Sequence, residues 1–175
     1  MEGKILIAYF SHEGETHVGG GKIEKLVIGN TKRVVNMIVS LTGADTFRIE
    51  TTIPYPEDYM ETIEIANAEQ HTDARPELKE DIENLEEYDT VILGYPNWWG
   101  AMPMAVFHFL ENHVWTGKTI LPFCTHQGSG LSNSEADIKR ICTGAKVKKG
   151  LAIMGGEIDE AQAQIEEWLR SNGLL

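Results

Sequence analysis

The chain carries only two cysteines, Cys124 and Cys142, with no neighbouring cysteine or paired histidine. That scarcity excludes a disulfide framework and a zinc-ligand spacing, and leaves two reduced thiols. Long apolar runs are missing too. No stretch of about 18 apolar residues occurs, and Met-Glu-Gly-Lys leads straight into a strand-like segment, not a charged-then-apolar leader. A soluble, cytoplasmic protein is expected. Positive charge is also in short supply. With 15 Lys and Arg against 27 Asp and Glu, the formal charge is −12, which repels nucleic acid and an anionic membrane surface at long range. Basic protein partners or neutral small molecules fit better. Repeats, low-complexity tracts and linker-like boundaries are absent, so residues 1–175 read as a single domain, and at 42% hydrophobic they can bury a sizeable core.

What is present is a rhythm of short apolar runs alternating with amphipathic stretches. Lys4–Phe10, Asp45–Glu50, Thr90–Tyr95, Thr119–Thr125 and Leu151–Met154 read as strands. The first, third and fourth are almost continuously apolar, as strands buried on both faces should be. Helical spacing marks Asn30–Leu41, ended by Gly43, then Tyr59–Ala68, Met102–Asn112 and Asp159–Arg170. A short helix over Leu78–Leu85 is expected as well, with the charge run "PELKEDIENLEEYD" as its solvated face. The alternation implies an α/β fold, an open parallel five-stranded sheet with helices on both faces. Ligands of such sheets bind beyond the carboxyl ends of the strands, so the loops there carry the functional candidates.

Three loops share that edge. The first runs from Ser11 through "HEGET" and three glycines to Gly29-Asn30-Thr31. A phosphate is well held where a helix begins, because the first turn leaves backbone donors unpaired and the dipole is positive there. Three consecutive glycines deny "SHEGET" a helix, each costing about 1 kcal/mol relative to alanine. The helix start, and the phosphate position, should be Gly29-Asn30-Thr31, with Asn30 or Thr31 as N-cap and Lys32 as a nearby cation. Between them a β-hairpin insertion is expected near residues 16–29.

The second loop, Pro96-Asn97-Trp98-Trp99-Gly100, places two adjacent tryptophans after a buried strand. At least one should lie over whatever fills the cleft, stacking on a flat heteroaromatic ligand, unless both anchor a core or an interface. Pro96 and Gly100 fit a tight turn. The third loop, Thr125-His126-Gln127-Gly128-Ser129-Gly130, offers hydroxyls, an amide and flexible glycines to a planar ligand's polar edge. His126 is a possible base or donor. The remaining histidines show no ligand-like or triad-like spacing.

With these loops in place the chain resembles the flavodoxin-like FMN proteins, in particular a bacterial flavodoxin group carrying Tyr-Pro-x-Trp-Trp-Gly. The segments "ILIAYFS", "GNTKRV", "YPEDY", "VILGYPNWWGAMP" and "FCTHQGSG" bear that likeness. The resemblance implies a three-layer sandwich with strand order 2-1-3-4-5 and non-covalent FMN. Ser11 and Gly29-Asn30-Thr31 would cradle the phosphate, Pro96 through Gly100 would flank the ring, and Thr125 through Gly130 would bind its pyrimidine side. The family's phosphate loop commonly runs uninterrupted, with a threonine where this chain has Glu13; a carboxylate there repels phosphate unless it turns away.

The resemblance implies an electron carrier with redox partner proteins of basic surface. The alternative is an NAD(P)H-dependent reductase of quinones or similar small acceptors, although no second dinucleotide fingerprint appears. A phosphate-switched signalling domain is disfavoured, since Phe10-Ser11 and Tyr95-Pro96 stand where its acidic metal ligands would be. So is a nucleotide hydrolase, for want of Gly-x-x-x-x-Gly-Lys-Ser/Thr.

Overall fold

A computed structural model describes residues 3–175. In chain order the strands are β1 (Lys4–Tyr9), β2 (Gly14–Gly19), β3 (Lys22–Leu26), β4 (Asp45–Arg48), β5 (Tyr88–Pro96), β6 (Thr119–His126), β7 (Lys146–Val147) and β8 (Leu151–Met154). The helices are α1 (Asn30–Thr42), α2 (Tyr59–His71), α3 (Met104–Glu111), α4 (Ser134–Ile141) and α5 (Gln162–Ser171).

The main sheet is parallel throughout, in the order β4-β1-β5-β6, with its last position shared by β7 and β8. Thr119 of β6 pairs with Lys146 of β7, and Phe123 with Leu151 of β8. The expected fifth strand is therefore present but preceded by a two-residue strand along the same edge. Counting that edge once gives the order 2-1-3-4-5. The separate β2–β3 hairpin is antiparallel. It begins at Gly14, two residues earlier than expected, and turns at Gly20-Gly21 with φ of 60° and 75°, the left-handed pair of a type I′ hairpin turn, which glycine adopts freely.

Alternation along the central strands divides the core. Leu6, Val91 and Leu93 join Phe109 and Leu110 of α3 and Ile138 of α4 on one face. Ile7, Ile92 and Phe123 join Val34, Val35 and Ile38 of α1 and Ile165 and Leu169 of α5 on the other. Each fully buried aliphatic side chain contributes roughly 1.5–3 kcal/mol. Both faces of the sheet are thus committed to packing, and binding is left to its edge. Among the described residues no helix is long and apolar enough to cross a membrane.

One expectation fails, and one helix is unannounced. Leu78–Leu85 is not helical. It lies extended against the end of β4, where Leu78 bridges Thr51, Thr52 N–H donates to Glu77 O at 2.9 Å and Lys79 N–H donates to Glu50 O at 2.8 Å. Leu78, Ile82 and Leu85 still reach the core, and their spacing imitates a helix, but at Leu78 the flanking backbone hydrogen bonds go across to Glu50 and Thr52. Only Leu85–Glu87 makes a 3₁₀ turn. The unannounced helix is α4, a polar element that apolar periodicity does not mark; Ser134 and Ile138 alone are fully buried in it. Smaller shifts affect α3, which starts after Pro103, and α5, which starts after a 3₁₀ segment at Gly155–Glu160.

Candidate functional site

A cleft of about 490 Å³ opens at the carboxyl ends of β1, β5 and β6. All three expected loops reach it.

The first loop supplies the start of α1. Gly29, not Asn30 or Thr31, is the N-cap residue, and it makes no side-chain cap. The cap comes from a distance: the buried Ser11 hydroxyl at the end of β1 accepts a hydrogen bond from Lys32 N–H at 3.1 Å. The Asn30 and Thr31 N–H groups have no partner among the described residues, which leaves the positive end of the helix facing the cleft. Gly29 itself is a close contact. A Cβ there would stand 2.4 Å from both His12 O and Ser11 Oγ, so only glycine lets the two halves of the divided loop touch. Thr31 Oγ1 and Thr125 Oγ1 hydrogen-bond at 2.9 Å and tie this loop to the third. Lys32 folds over the Tyr9 ring, its Nζ 5.0 Å from the centroid, and does not line the cleft.

The residues between Ser11 and Gly29 form one side of the opening. His12 Nε2–H donates to Pro56 O at 2.8 Å, Glu15 N–H to Glu57 O at 2.7 Å, and Tyr59 N–H to the Glu15 carboxylate at 3.0 Å. The hairpin is thereby fastened to the start of α2, while at its other end Val18 O comes close to Gly156. A second groove, about 480 Å³, lies between the hairpin and the 3₁₀ segment and meets the cleft at Asn30.

In the second loop the tryptophans separate. Trp98 is half-buried and meets Phe10, Tyr55 and His12 edge-on, with centroids 5.2, 5.0 and 6.1 Å away. Trp99 is 54% exposed. The tight turn is Trp98–Ala101, closed by two backbone hydrogen bonds. Its central residues, Trp99 and Gly100, have φ of 54° and 77°. A bulky non-glycine residue in that region is strained and persists where its surroundings hold it. Trp99 Nε1–H donates to Ile63 O at 3.0 Å, and Gln70 donates to Trp99 O at 3.1 Å, so α2 holds the indole in place. Asn97 braces the turn against the third loop, donating to Gly130 O at 2.7 Å and Ser132 Oγ at 3.0 Å while accepting from Gly100 N–H at 3.0 Å. Pro96 ends β5 and lines the cleft.

In the third loop Thr125, His126, Gln127 and Ser129 line the cleft, whereas Gly128 and Gly130 shape the turn from outside it. His126 Nδ1 accepts from Gly128 N–H at 2.9 Å, which places its proton on Nε2. Burial lowers its pKa, with Glu157 pulling the other way. Behind the loop, burial pushes the Cys124 thiol up to about 12, with Glu135 adding to it, which disfavours the thiolate.

Ser11, Gly29, Gly128 and Gly130 thus support the cleft without lining it. The wall that sequence reasoning missed is α2. Tyr59, Thr62, Ile63 and Ala66 face the cleft at helical spacing, a legible stripe, but with Ile63 as its one large aliphatic residue it does not read as a packing face. His12 and His17 also line the cleft, without any spacing to single them out.

The lining holds no Lys or Arg among the described residues. Glu13 is turned away. Its carboxylate meets Arg48 at 2.6 Å; burial raises its pKa, and the Arg48 hydrogen bond and charge outweigh that and hold it below the usual value.

A sequence model of a protein family described as flavodoxin matches residues 4–172. No curated protein matches the chain. Among solved structures, one described as a flavoprotein from Bacteroides eggerthii is 28% identical, with a TM-score of 0.74 over 96% of each chain. A Lactobacillus acidophilus flavoprotein in complex with FMN is 18% identical, with a TM-score of 0.61 over 90% of this chain and 97% of that one. Fusobacterium nucleatum flavodoxin bound to flavin mononucleotide is 15% identical, with a TM-score of 0.58 over 97% and 96%. The latter two are alike in fold.

Proposed function

The chain belongs to the flavodoxin family, and from that premise we propose that it binds FMN non-covalently in the cleft and serves as an electron carrier. The observation that carries the reading is the pairing, in one cleft, of an unpartnered helix start with an exposed, tethered indole. The volume suits a ligand of that size, and Gly29 lets Ser11 and His12 close on the helix start.

Asn30 and Thr31 N–H would hold the phosphate, and Ser11 fixes the helix start that presents them. Trp99 would cover one face of the ring, with α2 behind it excluding water. His126 Nε2–H, Thr125 and the 127–130 backbone would address the ring's polar edge. Bound there, the flavin supplies one- or two-electron chemistry. No acid or base of the chain is required. The surplus of acidic residues opposes further negative charge in the cleft and steers basic redox partners towards it.

The purified protein reconstituted with FMN should show protein-bound flavin absorption bands after desalting, and loss of all yellow colour on desalting would refute the cofactor. The rival reading is an NAD(P)H-dependent reductase of small acceptors. Sustained NADPH oxidation with a quinone, faster than a free-FMN control, would favour that reading over the carrier.

A further inference from the structure

We infer that Arg48 is a positioning residue for the phosphate end of the cleft, and that what it positions is the carboxylate of Glu13. The inference rests on the FMN reading. Glu13 follows directly on the two residues that touch Gly29 at the start of α1. A free carboxylate there would add negative charge beside a site for a phosphate, in a chain of charge −12 and a cleft whose described lining has no Lys or Arg.

Arg48, at the end of β4, removes that obstacle. Its Nη2 donates to the Glu13 carboxylate at 2.6 Å and to Ser11 O at 3.1 Å. One guanidinium therefore fixes the backbone whose hydroxyl caps α1 and neutralises the acid two residues on. Its Nε is buried without a partner, so the two Nη2 bonds, and not full satisfaction of its donors, define the pose. Glu15, the other acid of "SHEGET", lines the cleft and keeps its charge, its carboxylate accepting only the neutral Tyr59 N–H at 3.0 Å, so Glu13 is the one acid there that a cation neutralises. Of the two carboxylates in the segment that looks least suited to a phosphate, Arg48 neutralises the one that follows directly on the Gly29 contacts.

The test is FMN titration of apoprotein, followed by quenching of flavin fluorescence, on wild type, Arg48→Met, Glu13→Gln and the double variant, with thermal unfolding of each alongside. Arg48→Met should weaken FMN binding by about tenfold, the scale of an uncompensated nearby like charge. Glu13→Gln alone should leave affinity unchanged or slightly tighter. The double variant should return to within about threefold of wild type, since the charge needing compensation is gone. Arg48→Gln, which keeps a donor for Ser11 O, gives the same comparison if methionine unfolds the protein. A double variant as weak as the Arg48 variant alone overturns the inference and leaves the FMN reading standing. Wild type that binds no FMN overturns both.

Discussion

The two ends of the cleft are built in opposite ways. The tryptophan end comes from one short loop, Pro96 to Ala101, whose residues are neighbours in sequence and are locked by a tight turn, by Asn97 and by α2. The α1 end is assembled from pieces separated by a hairpin: Ser11 caps a helix that begins at Asn30, and Gly29 touches Ser11 and His12 across the gap. A local site tolerates the loss of one brace because the chain itself keeps its parts close. A divided site depends on the few contacts that rejoin its halves.

The sharpest way to break the comparison is at Gly29. Gly29→Ala places a Cβ 2.4 Å from the His12 carbonyl oxygen, a backbone atom that has little room to yield. We expect a loss of about 3 kcal/mol by urea denaturation and at least a hundredfold weaker FMN binding. Unchanged affinity would show that the two halves need not touch.

The tryptophans come next and should part company. Trp99→Ala should weaken FMN binding by about tenfold while changing stability by less than about 1 kcal/mol, since a stacked ring contributes about 0.5–1.5 kcal/mol beyond its area. Trp98→Ala, which removes the packing against Phe10 and Tyr55, should cost about 2–3 kcal/mol of stability. Thermal unfolding and FMN titration of the pair check both, and equal effects would erase the division between inner and outer indole. Asn97→Ala should be milder, about 1–2 kcal/mol for its lost hydrogen bonds, with FMN affinity reduced only a fewfold.

The smallest effect is in acid. Because the Glu13 pKa is lower in the folded chain than in the unfolded one, its pairing with Arg48 stabilises fully above the ordinary carboxylate range. That contribution is lost as pH falls through the folded value. Wild type should therefore lose its small stability advantage over Glu13→Gln as pH falls below the ordinary glutamate range, read from thermal midpoints. A constant difference across that range would mean that the pair is not the cause.

The same contrast explains what was legible beforehand. β1, β5 and β6 are visible because both of their faces are buried and their sequences are nearly unbroken apolar runs. The start of α1 and the hairpin are visible because three glycines and a helical period exclude other arrangements. The Leu78–Leu85 strap was misread because a helix and an extended segment can bury the same three apolar residues, and what decides between them is the backbone of Glu50–Thr52, far away in sequence. The α2 wall is hard to read in sequence because Ile63 is the one large aliphatic residue among Tyr59, Thr62, Ile63 and Ala66, too few to mark a face. Arg48 is a further case: nothing near it in sequence connects it with Glu13.

The most direct measurement is a calorimetric titration of apoprotein with FMN and, separately, with riboflavin. A helix start aimed at a phosphate and an indole aimed at a ring predict one FMN per chain, with riboflavin bound at least about a hundredfold more weakly for want of its charge-assisted hydrogen bonds. No FMN binding, or riboflavin bound as tightly as FMN, would contradict the account.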